Sequence, residues 1–521
     1  MRRSVFLFPN SFYLAFLFFL GCTSPQKDQS ERQLRTPSSE NQKVVFTSNA
    51  NRAKEVLFFA NPSTASAIGE FAHLLDQVNS GLPASEVIKL RLMLELTTDF
   101  STGAVPSPES IIKDLELTQL QLTYRAADLP ESAKHLIAYV STQDKMSSSL
   151  WLQDFGEFYY ADNKPTFLDL HYSTLDETSE FHRYIMSPKG IRGQVDTQFK
   201  AERDEKTINT TLEGGDIEVL PNGVVLVGNV IHPELEKYLA RNLKQKVLKV
   251  PADFVATGHV DEVFAVIPAP KEHTNGCGYA LAYIDPLYGL RLALDKTLGH
   301  QMPASRKSFI DAISYFTKRD GESLIHRDSF QKIPRYFKSE KMVSSTLEPW
   351  GWSPNFAQWY LHRTIHIHNQ VQSGILQIKE SLKDSCPSLK TVGLPVLMSD
   401  FGAGESTFAS LPIDERMSER KRSDIFKTAP VYLHLSPINM LVLNQHLVMP
   451  AIEDLPTDAW DSGFLTSFQT PYKKVIKERL KKELGLTESL LHFTSANVFV
   501  ANGGSLHCGS ATYRDQTATV Y

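Results

Sequence analysis

From about Lys43 onward, short apolar runs of strand length alternate with longer stretches of helical spacing, and that alternation points to an α/β fold. Val56-Leu57-Phe58-Phe59-Ala60 reads as a buried strand and Ala65 to Val78 as an amphipathic helix. Leu90 to Leu96, Gln119 to Tyr124 and Leu136 to Val140 are further short runs, consistent with strands and ambiguous with helix. Val224 to Val227 follows the turn signal Pro221-Asn222-Gly223, and Val260 to Ile267 runs apolar up to Pro268. Asn439 to Leu443 and Val498 to Ala501 are two more expected strands. The stretch 296–385 is rich in Lys, Arg, His, Gln and aromatics at helix-like spacing, and is expected to be a largely helical insertion. No linker composition follows residue 43, so 44–521 is expected to form one large domain. Gly402-Ala403-Gly404-Glu405-Ser406 lacks the Gly-Lys-Ser/Thr ending of a phosphate loop and reads as an ordinary loop.

Residues 1–22 do not belong to that fold. Arg2 and Arg3 precede the unbroken apolar run Phe12 to Leu20, which is too short to span a bilayer, where ~20 residues are needed. The pattern is that of a cleaved export signal. Phe19-Leu20-Gly21-Cys22 is similar to a bacterial lipobox, which makes Cys22 the lipidated first residue of a membrane-anchored, exported lipoprotein; a plain secretory signal is the alternative. The polar stretch 23–43 is expected to be a disordered tether.

The formal charge is −5, and removing a leader that carries Arg2 and Arg3 leaves −5 minus 2, or −7. A mildly acidic chain lacks the basic footprint that phosphate backbones require, so nucleic acid is not an expected partner. With Cys22 assigned to lipidation, Cys277, Cys386 and Cys508 remain. Outside the cytoplasm Cys277 and Cys386 could pair, leaving Cys508 as an odd thiol and therefore a functional question.

Three segments far apart in sequence carry the chemistry: Trp151-Leu152-Gln153-Asp154, Gly258-His259-Val260-Asp261-Glu262, and Gly503-Gly504-Ser505-Leu506-His507-Cys508-Gly509. On a strand, His259 and Asp261 project to the same side, and polar groups at the start of an apolar strand belong in a cleft rather than a core. The alternative is a structural hydrogen-bonded pair. Cys508 follows a double glycine that permits a sharp turn; by itself a lone cysteine is more often a small buried hydrophobe. If that segment is extended, His507 points away from Cys508, so His259 fits the role of base better. A guanidinium is planar and permanently charged, and offers a fork of N–H donors. Carboxylates such as Asp154 and Asp261 satisfy its edges, and an aromatic wall such as Trp151 covers its stem.

In this order the three segments resemble the protein-arginine deiminases, guanidino-group-modifying enzymes of pentein fold. Asn439-Met440-Leu441-Val442-Leu443 with His446-Leu447 resembles the strand before that family's last module, and Tyr288-Gly289-Leu290-Arg291-Leu292 resembles another of its core strands. The resemblance implies a five-module α/β-propeller; only about a hundred residues precede Trp151 once leader and tether are removed, and the first module should use them, so the immunoglobulin-like domains of some members are not expected here. It implies Cys508 as nucleophile, His259 as general acid and base, Asp154 and Asp261 as guanidinium clamps, and Trp151 along the substrate stem. The implied reaction converts arginine residues of a peptide or protein to ureido products, with ammonia released and no organic cofactor. Relatives that need calcium place the metal at positions matched by Gln153, Glu157 and Glu218; the alternative for these three is a substrate-pocket wall. His362, His366 and His368 have helical spacing but no glutamate between them, so a packed or solvated helix face is expected there rather than zinc. Two other readings stay open: a small-molecule guanidine enzyme (an agmatine or arginine deiminase or amidinotransferase), and a non-catalytic surface lipoprotein that binds cationic peptides.

Overall fold

In the computed structural model, which describes residues 44–60, 65–80, 82–96, 137–141, 153, 156–170, 194–196, 211, 213–243, 245–297, 354–400, 431–434, 436–451, 462–495, 506–508 and 510–519, the strands group around hairpins with recurrent turn chemistry. Asp162 and Asn163 reverse the chain with φ of 50° and 64°, and Asn444 does so with φ of 58°. Asn and Asp tolerate this left-handed region, which matches the twist of the flanking strands. Pro221-Asn222-Gly223 closes a third hairpin, as expected from the sequence.

Each hairpin acquires a third strand, parallel to its second. The strand β1 (Val44–Phe46) edges the sheet of β5 (Gly156–Ala161), β6 (Lys164–Asp169) and β7 (Gln194–Asp196). A second sheet contains β8 (Ile217–Val219), β9 (Val225–Gly228) and β10 (Val247–Val250), and a third β11 (Phe264–Pro268), β12 (Tyr279–Asp285) and β13 (Lys390–Pro395). The pair β14 (Leu397–Asp400) and β15 (Val431–His434) stands apart. A fourth sheet holds β16 (Leu441–Leu443), β17 (His446–Ala451) and β18 (Leu491–Ser495). In the fifth, β19 (Ser510–Thr519) runs antiparallel to β2 (Asn51–Ala60), which continues in parallel to β3 (Lys89–Leu96) and β4 (Ile137–Ser141). In all five, the first strand is antiparallel to the second and the second parallel to the third. In the fifth, the first strand comes from the far end of the described chain.

Helices supply the parallel crossovers: α1 (Ala65–Asn79), α2 (Pro233–Asn242), α3 (Pro286–Thr297), α4 (Pro354–Ser381) and α5 (Ser462–Leu484). The strands β11 and β12 are buried along their whole length, and β12, the middle strand of its sheet, has β13 as a parallel partner, as covered strands commonly do. Ile365, Ile367, Val371, Ile375 and Ile378 of α4 join them in the main core. A second apolar cluster, with Tyr159, Leu168, Val225, Val227 and Leu235, lies between the sheets of β5 and β8. Among the described residues no helix is long and apolar enough to cross a membrane.

Two expectations are corrected. Tyr288 to Leu292 is helical, not a strand: the Asp285 carboxylate accepts from the Tyr288 amide at 3.0 Å, and Pro286 opens α3. That start signal outweighs the apolar run behind it. The strand expected from Val260 begins only at Phe264, because the amides of Val263 and Phe264 both turn back to the Val260 carbonyl, at 3.0 and 2.9 Å. Of the stretch 296–385, residues 298–353 lie outside the described ones, as do Gln119 to Tyr124, Val498 to Ala501, Gly402 to Ser406 and residues 1–43. His368 on α4 is buried with its Nδ1 3.5 Å from the Asp285 carboxylate, a packed pair rather than one ligand of a histidine cluster.

Cys277 and Cys386 are disulfide-bonded with their Cα atoms 5.7 Å apart, tying the β11–β12 hairpin to the end of α4 across 109 positions. Removing such a bridge releases loop entropy to the unfolded chain. Cys386→Ala is expected to lower stability by about 2–4 kcal/mol in urea unfolding. Reductant should lower the wild-type protein by the same amount and leave the variant unchanged.

Candidate active site

Residues just ahead of the first strand of each sheet converge. Gln153 precedes β5, Glu213 precedes β8, His259 to Glu262 precede β11, Asn439 precedes β16, and His507 and Cys508 precede β19. Glycine brings two of these segments together: a Cβ on Gly215 would lie 2.3 Å from His259 Nδ1, so only glycine lets the ring close over that backbone. The Gly215 carbonyl in turn accepts from the amides of Val260 and Asp261, at 3.0 and 3.3 Å. A turn, not strand alternation, therefore aims His259 and Asp261 at one place.

Cys508 is 3% exposed and is the free thiol among the described cysteines. Ligand atoms of Cys508, His259 and Asp261 all lie within 4.8 Å of one another. Asn439 organises the thiol: its Nδ2 donates to Sγ at 2.9 Å, and its Oδ1 accepts from the amides of His507 and Cys508, at 3.0 and 3.2 Å. His259, 2% exposed, pairs through Nε2 with the carboxylate of Glu213, whose side chain is 36% exposed and so lies toward solvent. Asp261, also 2% exposed, meets His507 Nδ1 through Oδ2 at 2.8 Å. His507 Nδ1 also lies 3.1 Å from Gln153 Oε1. Asp261 Oδ1 is buried without a hydrogen-bond partner, which leaves one acceptor open at the site; His259 Nδ1, also without one, packs on the Gly215 backbone with Glu262 Oε1 3.9 Å away.

The electrostatics favour an incoming cation. Burial pushes the Cys508 thiol well up, with Asp261 adding to it and His259 opposing. Burial works against the His259 imidazolium, yet Cys508, Glu213 and Asp216 outweigh it and hold the ring well above its ordinary range. Burial also pushes Asp216 and Glu262 up to about 7 and Glu218 up to about 8, with Asp261 adding to both glutamates. These carboxyls are costly to ionise together unless positive charge arrives.

That arrangement fixes a pH response. A carboxyl with a raised folded pKa holds its proton more tightly in the native state, so stability falls as pH rises from the ordinary carboxylate range toward the folded value. His259, also raised, acts in the same direction. His492, lowered by burial and by His446 to about 4, acts oppositely, but only up to the ordinary imidazole value near 6.5. Between about pH 6.5 and about pH 8 the melting temperature is expected to fall by roughly 5 °C or more in calorimetry, and a guanidinium ligand should reduce that fall. A flat profile would mean that these carboxyls are already ionised in the native protein.

Gln153, Glu157 and Glu218 line a cavity of about 30 Å³, together with Asn49, His507, Ser510 and Arg514. Their oxygens already face protein donors and a protein cation. Asn49 Nδ2 donates to both Glu218 oxygens, at 3.3 and 3.0 Å, while Gln153 Oε1 lies against His507. Burial raises the Glu157 carboxyl well above its ordinary range, Asp261 and Glu218 add to this, and Arg514 opposes it. This donor set is a poor fit to calcium, which gathers oxygens not already committed to protein partners.

No family model matches the chain, and no curated protein matches it. Among solved structures it is similar to the agmatine deiminase of C. jejuni, at 11% identity and a TM-score of 0.44, over 92% of this chain and 98% of that one. It is also similar to the agmatine deiminase of Enterococcus faecalis, at 14% identity and a TM-score of 0.42, over 91% of this chain and 96% of that one. Likeness at this level fixes neither fold nor chemistry, which rest on the side chains above.

Of the residues expected from sequence, Cys508, His259 and Asp261 come together, and Gln153, Glu157 and Glu218 share the adjoining cavity. Trp151 and Asp154 lie outside the described residues, as does Cys22. Glu213, Asn439 and His507 were missed. His507 was set aside on the assumption of an extended segment, but residues 506–508 form a turn in which the Ser510 amide returns to the His507 carbonyl at 2.9 Å. The double glycine ahead was the signal for that turn. For Asn439 the signal was a lone amide opening an apolar strand, and for Glu213 an acid beside a glycine pair.

Proposed function

We propose that the chain is a guanidine hydrolase, a deiminase that converts an arginine side chain to its ureido form with Cys508 as nucleophile. The observation that carries the reading is the buried convergence of thiol, imidazole and an unpartnered carboxylate oxygen. A guanidinium seated against Asp261 offsets the negative charge that keeps the thiol protonated, so Cys508 loses its proton to solvent as the cation binds. The thiolate then attacks the guanidinium carbon to give a neutral tetrahedral adduct. His259, protonated and held by Glu213, gives its proton to one nitrogen, which leaves as ammonia and yields a thiouronium bound to Cys508. The neutral His259 next takes a proton from water, and the resulting hydroxide adds to the same carbon. The C–S bond breaks, the thiolate returns, and loss of one proton leaves the ureido product.

Five sheets of one topology, each feeding the site from the residues ahead of its first strand, support a five-module propeller of pentein type. The Cys277–Cys386 bridge supports an oxidising compartment, in keeping with export and lipid anchoring through Cys22. The favoured substrate is arginine within a peptide. Citrulline and ammonia formation from a blocked arginine peptide, free arginine and agmatine tests this directly. Peptide turnover is the expected result; turnover of agmatine alone replaces the peptide with a small molecule, and no turnover of any guanidine removes the hydrolase.

A further inference from the structure

Arg514 is a buried cation beside this site that the chemistry above leaves unused. It lies on β19 and is 3% exposed. Its Nη1 donates to the carbonyls of Asn49 and Asn51, at 3.4 and 3.1 Å, and its Nη2 to that of Val442 at 2.9 Å. It shares the cavity behind His507 with Glu157 and Glu218, and its charge acts on both. The three carbonyls that Arg514 holds, and the carboxylates of Glu157 and Glu218 that line the cavity with it, are hard oxygens of the kind a divalent cation gathers. Here a guanidinium holds the carbonyls, and an added divalent ion would enter beside a buried, permanent like charge.

We infer that Arg514 is the resident cation of the site, a positioning residue that stands in place of a divalent ion and balances the carboxylates behind His507 and Asp261. His507 is the link: it lines the Arg514 cavity and holds Asp261 Oδ2, so charge balance there governs where the guanidinium clamp sits. The inference uses the guanidine-hydrolase reading only for its activity readout.

The test combines calcium, terbium luminescence, a chelator and two variants. Wild-type protein is expected to bind no terbium in the cavity, to melt at the same temperature with calcium or chelator, and to keep its activity in chelator. Arg514→Gln is expected to lose roughly 100-fold in kcat, through displacement of the clamp, and to gain a melting temperature that rises with calcium. Arg514→Lys keeps the charge and is expected to retain most activity without a calcium response. Calcium-dependent melting or activity in the wild-type protein overturns the inference. So does an Arg514→Gln protein with unchanged kcat, or one that loses activity without any calcium response. If Arg514→Gln fails to fold, the wild-type ion measurements decide alone. Absence of turnover on every guanidine refutes the hydrolase and leaves the ion-binding outcomes readable.

Discussion

Cys508→Ala is expected to abolish ammonia release from every guanidine that the wild-type protein turns over, a loss of roughly 10⁶-fold in kcat, while the fold persists. Persistence follows from how the turn is built. Asn439 Oδ1 holds the main-chain amides of His507 and Cys508, and neither bond involves the thiol. Deleting one buried sulfur leaves a small void, which costs about 1 kcal/mol. The Asn439 amide loses its sulfur acceptor, and water admitted to the cleft can replace it. Ammonia release should be measured beside mass spectrometry of acid-quenched reactions, with a covalent adduct on the wild-type protein and none on the variant. Activity within tenfold of wild type would exclude a thiolate nucleophile.

Asp261→Asn separates charge from shape. The carboxylate is buried, with one oxygen on His507 and the other without a partner, so an amide of the same outline fits the space. Its charge is what a guanidinium needs: an N–H donor meets the open Oδ1 in a charge-assisted hydrogen bond, whereas an amide there brings a neutral acceptor or a competing donor. The expected loss in kcat/KM is roughly 10³-fold. Stability should hold or rise, because the Asp261 charge raises the carboxyls of Glu157, Glu218 and Glu262. Removing it relieves like-charge repulsion within the buried cluster. Loss of activity with an unchanged or higher melting temperature is the signature of a group kept for function. A variant that loses both in proportion would place Asp261 among purely structural acids.

The sequence made α1 and the strands around Val56, Leu90 and Val224 legible, because there local periodicity and turn chemistry agreed with the final packing. It misled at Tyr288, where Asp285 and Pro286 start a helix that the apolar pattern alone cannot distinguish from a buried strand. Cys508, His259 and Asp261 were readable because the segments that carry them follow one another in the order of the deiminase resemblance, although each taken singly has a structural alternative. Their partners were not. Glu213 and Asn439 reach the site only because Gly215 admits His259 and because the turn at Leu506 faces β16, which are tertiary facts with weak local marks. The surroundings of Arg514 were beyond reach for the same reason, since the carbonyls it holds belong to Asn49, Asn51 and Val442, all far from it in the chain.

The pairing of β19 with β2 has a consequence in time as well as space. Near the start of the described fold, β2 can pair early with β3 but meets β19 only when residues 510–519 arrive, so the fifth sheet is incomplete during most of synthesis. Cys508 arrives with that strand. A partly made chain therefore carries an acidic cleft that lacks the Cys508 thiol. The cleft gains its thiol and the fifth sheet its first strand in one late step of synthesis.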